Sequence, residues 1–191
     1  MFSKINRYLK PDLYCASLDD LDFNAFYKNG YHLILIDVDN TLAYHGAHQA
    51  DDYAHRAISR ANEAGLSCYI LSNARPERIK SYASTLKIPF VASAKKPSTK
   101  AMMEICRSAG VKPEQVVIIG DQILTDVICA RRAGCLAVLV QPRNRQEAFH
   151  VRMKRLVEKG VKKHYRLKID RPARTNQEKL NPKSEQTDRH T

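Results

Sequence analysis

Two aspartates, Asp37 and Asp39, lie two residues apart in Asp37-Val38-Asp39-Asn40-Thr41, directly after the apolar run Leu33-Ile34-Leu35-Ile36. Such a run reads as a buried parallel strand. Side chains alternate faces along a strand, so Asp37 and Asp39 share one side and Val38 takes the other. Two like charges at this spacing repel unless a cation or a proton lies between them. Carboxylate oxygens suit a hard cation such as Mg2+, and a carboxylate at its edge can attack phosphorus. Asp, Asn and Thr are also ordinary turn residues, so on these five positions alone a plain turn is an equally open reading.

Further along, one pattern repeats: an apolar strand, a polar residue at its end, then a helix. Ser67-Cys68-Tyr69-Ile70-Leu71 ends at Ser72-Asn73, and Phe90-Val91-Ala92-Ser93-Ala94 ends at Lys95-Lys96-Pro97. Val116-Val117-Ile118-Ile119 ends at Gly120-Asp121, with Asp126 shortly after, and Leu136-Ala137-Val138-Leu139-Val140 ends at Gln141-Pro142. The helical patterns between them bring Ala54, Ala57, Ile58 and Ala61 to one face before Gly65, and Ile79, Tyr82 and Leu86 to one face after Pro76. A third starts at Ser98 as N-cap and carries Met102, Ile105 and Cys106; a fourth carries Val127, Ile128 and Ala130 up to Gly134. This alternation predicts an α/β, doubly wound, Rossmann-like fold: a five-stranded parallel sheet with helices on both faces. Ligands of such sheets bind outside the carboxyl ends of the strands. Asp37, Asp39, Ser72, Lys96, Asp121 and Asp126 all fall at or just after those ends. Singly, Ser72 is a turn residue, Lys96 a surface lysine and Asp121 a helix cap. Their order and common placement single them out.

These segments resemble the haloacid dehalogenase (HAD) superfamily of phosphatases. Asp37-x-Asp39-x-Thr41 matches its first motif, Ser72 its second, Lys96 before Pro97 its third, and Gly120-Asp121 with Asp126 its fourth. Lys10-Pro11-Asp12, the run Leu18-Asp19-Asp20-Leu21-Asp22-Phe23, Asp37-Val38-Asp39-Asn40-Thr41 and Gly120-Asp121-Gln122-Ile123-Leu124-Thr125-Asp126 narrow this to a subclass IIIA group, the bacterial YqeG family, related to phosphatidylglycerophosphate phosphatases. The likeness covers residues 8 to 158. Ala74 departs from it, standing where a second Asn is expected. The resemblance implies roles. Asp37 is the nucleophile that forms an aspartyl-phosphate, and Asp39 is the acid and then the base. Mg2+ is held by the Asp37 carboxylate, the Asp39 backbone carbonyl and Asp121. Ser72 and Asn73 contact the phosphate, Lys96 neutralises charge, Asp126 supports Lys96 or a metal-bound water, and Asn40 and Thr41 shape the phosphate loop.

Residues 42–49, 73–88 and 97–115 are too short for an inserted domain, so no large cap is expected. An open site suits a phosphate on a large carrier. The chain has a formal net charge of +12. Residues 143–191 hold 15 Lys/Arg against 6 Asp/Glu, a surplus of +9, whereas residues 1–142 hold 17 against 14. That surplus favours an anionic partner, phospholipid or nucleic acid, unless the segment is only a solvated tail. Phe2, Ile5 and Leu9 fall on one side of a short basic helix that either lies in a membrane interface or covers the core. The resemblance favours phosphatidylglycerophosphate as substrate. A nucleic-acid- or ribosome-associated protein of low turnover, and a phosphatase of soluble or protein phosphates, are the alternatives.

One HAD-like domain is expected over residues 1–161, with residues 1–30 as an amphipathic extension, followed by a basic, disordered tail over 162–191. A last helix is expected over 144–159. Five unpaired cysteines and the lack of a signal peptide point to a reducing, cytoplasmic compartment, with peripheral contact at the inner face of the membrane if the substrate is a lipid. No run approaches the length of a transmembrane helix. His45, His48 and His55 match no zinc spacing and read as surface residues.

Overall fold

Leu33–Ile36 forms β2, the strand at the heart of the sheet, and all four of its side chains are buried. The computed structural model describes residues 8–144 and 158–170. Around β2 the chain builds β1 (Leu13–Cys15), α1 (Phe23–Lys28), α2 (Asp52–Glu63), β3 (Ser67–Leu71), α3 (Pro76–Leu86), β4 (Phe90–Val91), α4 (Lys100–Ala109), β5 (Val116–Gly120), α5 (Ile128–Ala133) and β6 (Leu136–Val140). The sheet order is β1-β6-β5-β2-β3-β4, every pair parallel. Strand order reverses direction between β2 and β5, which makes that gap the topological switch point.

The period of two along each strand divides the core. Ile34 and Ile36 face one layer with Phe23 and Phe26 of α1, Ala57 and Ala61 of α2 and Tyr82 of α3. Leu33 and Leu35 face the other layer with Met102 and Ile105 of α4 and Cys129 and Ala130 of α5. The helices that cover the sheet start and stop where their sequence dictates. The Asp51 carboxylate accepts the Ala54 N–H at 3.1 Å and caps α2, and Gly65 leaves the helix with φ of +89°. Pro76 opens α3.

The sheet has six strands, not the expected five. The sixth is β1, inside the segment expected to be an amphipathic extension. Asp12 secures it by accepting the Ala137 N–H at 2.8 Å and pairing with Arg131. α1 likewise contributes fully to the core through Phe23 and Phe26. β4 is shorter than its apolar run, because Ser93 and Lys95 take positive φ and turn the chain toward the site. The N-cap of α4 is Thr99 rather than Ser98, whose Oγ accepts the Lys100 N–H at 3.4 Å.

Residues 158–170, on both sides of the boundary expected at 161, run as a short helix over 158–164, a turn and an irregular stretch that ends at the edge of β1. Tyr14 N–H donates to the Asp170 carboxylate at 3.0 Å, and Asp170 N–H donates to the Tyr14 carbonyl at 2.6 Å. Lys162 lies over the Tyr14 ring. Most of the expected N-terminal amphipathic helix (residues 1–7), most of the expected helix over 144–159 (residues 145–157) and residues 171–191 lie outside the described residues.

Candidate active site

The register Ile36↔Ile119 sets the ends of β2 and β5 side by side. Asp37 therefore leaves β2 next to Gly120 and Asp121, at the switch point, and its N–H still donates to the Ile119 carbonyl at 2.9 Å. A side chain at Gly120 would collide with the carboxylate of Asp126, so glycine here is a packing requirement. After β5 the chain makes a wide helical turn over Ile123–Val127. That turn brings Asp126 back beneath the strand end, where its Oδ2 accepts the Gln122 N–H at 3.1 Å and the Thr125 hydroxyl at 3.3 Å.

Lys96 arrives from the loop after β4. Its Nζ lies 3.0 Å from Asp37 Oδ1 and 2.6 Å from Asp126 Oδ1, with all three side chains nearly inaccessible. The loop that carries Lys96 is pinned by Asn73, whose side-chain oxygen accepts the Lys96 N–H at 2.7 Å and whose amide donates to the Lys96 carbonyl at 3.0 Å. The expectation gave Asn73 to the phosphate; here both ends of its amide are engaged by the Lys96 backbone. Ser72 is buried at the end of β3, and its Oγ accepts the Ala74 N–H at 3.2 Å, so its own O–H remains a donor.

Ligand oxygens of Asp37, Asp121 and Asp126 lie within 4.8 Å of one another, all buried. Three buried carboxylates against one ammonium leave an excess of negative charge, and an all-oxygen donor set of this kind fits a hard divalent cation. Asp126, expected only in support, is part of this cluster. The Asp39 carboxylate is not; it pairs with Arg78 and lies 3.3 Å from His45 Nδ1, with the Gly46 N–H donating to it at 3.0 Å. Of Asp39, that leaves the backbone carbonyl for the expected metal role.

Burial pushes the Asp37 carboxyl up to about 6; Lys96 pulls against this, while Asp126 and Asp39 add to it. Burial would lower Lys96, but Asp126 and Asp37 outweigh it and hold the ammonium raised and charged. A cation among the carboxylates acts on Asp37 in the same direction as Lys96 and favours its ionised form.

Asn40 and Thr41 form the loop after Asp37. Asn40 has φ of +59°, and its carbonyl accepts the Arg143 N–H at 3.0 Å. Thr41 is fully buried, and its hydroxyl oxygen has no hydrogen-bond partner among the described residues. Three residues escaped the sequence reading. Arg78 gave no signal beyond its place in the first turns of a helix that starts at a strand's carboxyl end. His45 was read only as a surface histidine; it is exposed and lies against Asp39. Arg143 follows β6 and donates to the Leu42 carbonyl at 2.6 Å and to Asp51 at 2.7 Å, its guanidinium between the rings of Tyr44 and Tyr53. It thereby fixes the loop after β2 from outside.

A family model described as HAD-hydrolase-like matches residues 93–150. Probable phosphatase YqeG of Bacillus subtilis is 30% identical over 157 residues, 82% of this chain and 91% of its own length. The chloroplastic phosphatidylglycerophosphate phosphatase 1 of Chlamydomonas reinhardtii is 27% identical over 161 residues, and the match takes in 78% of this chain and only 59% of that protein. The cobalt-bound deoxy-D-mannose-octulosonate 8-phosphate phosphatase YrbI of Haemophilus influenzae superposes with a TM-score of 0.48 at 16% identity, over 71% of this chain and 89% of that one. With 30% identity to the Bacillus protein across nearly its whole length, and with the motifs gathered at one switch point, this chain belongs to the YqeG family of HAD-superfamily phosphatases.

Proposed function

We propose that the protein is a Mg2+-dependent phosphomonoesterase that passes the phosphoryl group through Asp37, and that its substrate is phosphatidylglycerophosphate, hydrolysed to phosphatidylglycerol. The observation that carries the chemistry is Lys96 buried between Asp37 and Asp126, with Asp121 alongside, at the switch point of the sheet. Asp37 attacks phosphorus, forming the aspartyl-phosphate bond as the bond to the leaving oxygen breaks. Asp39 gives that oxygen a proton, then takes one from the water that hydrolyses the aspartyl-phosphate. Lys96 and the Ser72 hydroxyl balance and orient charge on the phosphoryl oxygens, which is where phosphoryl transfer gains most of its rate. A Mg2+ held by Asp37, Asp121 and the Asp39 carbonyl, with Asp126 in reach, would supply charge neutralisation at the phosphoryl group and keep Asp37 ionised.

The lipid assignment is supported by the named activity of the Chlamydomonas relative and by the absence of an inserted cap domain among the described residues. Lys159, Lys163, Arg166 and Lys168 are exposed beside Ile169, itself 41% exposed, a combination suited to an anionic bilayer surface. Contact with that surface is peripheral in this reading, since no helix among the described residues is long and apolar enough to cross a membrane.

The test is phosphate release with Mg2+ from phosphatidylglycerophosphate in mixed micelles and from p-nitrophenyl phosphate, with Asp37→Asn as the blank. A strong preference for the lipid supports the whole reading. Hydrolysis of the small ester alone keeps the phosphatase and withdraws the lipid.

A further inference from the structure

Arg78 lies in the first turns of α3, and its guanidinium binds the Asp39 carboxylate through Nη2 and the Ala47 carbonyl through Nη1 at 3.2 Å. A guanidinium carries five N–H donors in a planar fork, so these bonds leave donors to spare. The side chain is 15% exposed: nearly enclosed, but reached by solvent. In the mechanism above Asp39 serves the oxygen that leaves phosphorus, opposite Asp37. The groups around Asp39 therefore border the leaving alcohol rather than the phosphoryl group. Those groups are Arg78, His45 and the Gly46 N–H. Arg75, three residues before Arg78, is exposed at the start of the same helix. Asp51 is engaged by Arg143, and Glu77, beside Arg78 in the first turn of the helix, is exposed to solvent. An anion on the leaving alcohol would thus meet the Arg78 guanidinium, His45 and the Gly46 N–H, the groups that already hold the Asp39 carboxylate.

We propose that Arg78 is the specificity-determining residue of this phosphatase: it exchanges part of its pairing with Asp39 for a second anionic group on the leaving alcohol, so that monoesters flanked by a phosphodiester are preferred. A phosphodiester offers two oxygens to the guanidinium fork, a match that a neutral alcohol lacks. Drawing Arg78 toward the substrate also releases an Asp39 oxygen toward the leaving oxygen only when the right alcohol is bound. The proposal rests on the reading of Asp39 as the group at that oxygen.

The experiment compares the full chain with Arg78→Gln and Arg78→Lys, in Mg2+, on two water-soluble substrates. Glycerophosphoglycerophosphate carries a monoester and a phosphodiester; glycerol 3-phosphate carries the monoester alone. Glycerophosphoglycerol, the phosphodiester without a monoester, serves as a competing ligand against glycerol 3-phosphate. The unsubstituted protein is expected to favour the phosphodiester-bearing substrate in kcat/KM by roughly tenfold or more, the scale of one charge-assisted hydrogen bond. Arg78→Gln is expected to lower kcat/KM for that substrate about tenfold more than for glycerol 3-phosphate, and Arg78→Lys to recover part of the difference. Glycerophosphoglycerol should inhibit the unsubstituted protein and lose that inhibition in Arg78→Gln. Equal kcat/KM for both substrates, or an equal fall for both in Arg78→Gln, overturns the proposal and leaves Arg78 as a holder of Asp39, with the phosphatase reading intact. If the unsubstituted protein hydrolyses neither substrate, nor p-nitrophenyl phosphate, beyond the Asp37→Asn blank, the phosphatase reading itself fails and takes the proposal with it.

Discussion

Asp37 is a buried carboxyl whose surroundings favour its proton, with Lys96 as the opposing charge. Because its folded value, about 6, lies above the ordinary 3.8, the folded state binds this proton more tightly than the unfolded chain does. The resulting stabilisation is present at low pH and is lost as pH rises through about 6. In metal-free protein at pH 7.5, Asp37→Asn should therefore melt above the unsubstituted protein, with the gap closing toward pH 5 and shrinking when Mg2+ is added; thermal unfolding under the three conditions checks this. Lys96 makes the opposite case. Lys96→Met leaves Asp37 and Asp126 buried without their shared ammonium, and urea unfolding of the metal-free variant should show a loss of about 3 kcal/mol, the usual scale for breaking a buried ion pair from one side. Its turnover should fall at least ~100-fold, since charge on the phosphoryl group is then uncompensated.

At the scale of elements, β5 and the wide turn after it carry the demand for glycine. Gly120→Ala should keep the fold and its far-ultraviolet dichroism while moving Asp126 and lowering kcat on p-nitrophenyl phosphate by about 100-fold, the cost of misplacing a reacting constellation by around an ångström. This part of the site was legible in the sequence because parallel strands buried on both faces read as unbroken apolar runs, and four of the five runs ended on a residue able to do chemistry. Other parts had no such signature. β1 is three residues long, too short to show a period, and it exists because β6 and Asp12 hold it. β4 stops early because Ser93 and Lys95, neither of them glycine, take positive φ in a loop held by tertiary bonds. Arg78 sits among ordinary surface residues of α3, and only its ion pair with Asp39, distant in sequence, ties it to the site.

For the whole molecule, the excess positive charge begins in the part that is seen. Lys163, Arg166 and Lys168 are exposed within 158–170. Replacing all three by Gln should weaken sedimentation with vesicles containing anionic lipid by roughly 100-fold, at about 1 kcal/mol per residue, while changing hydrolysis of p-nitrophenyl phosphate far less. The same segment has a second consequence. By taking both the N–H and the carbonyl of Tyr14, Asp170 seals a flank where an extended peptide would otherwise add as a further strand. A protease that nicks the chain before Asp170, or a frameshift that deletes it, would leave the catalytic carboxylates untouched and yet give a protein prone to self-association. Its lifetime in the cell would then be set by aggregation rather than by loss of chemistry.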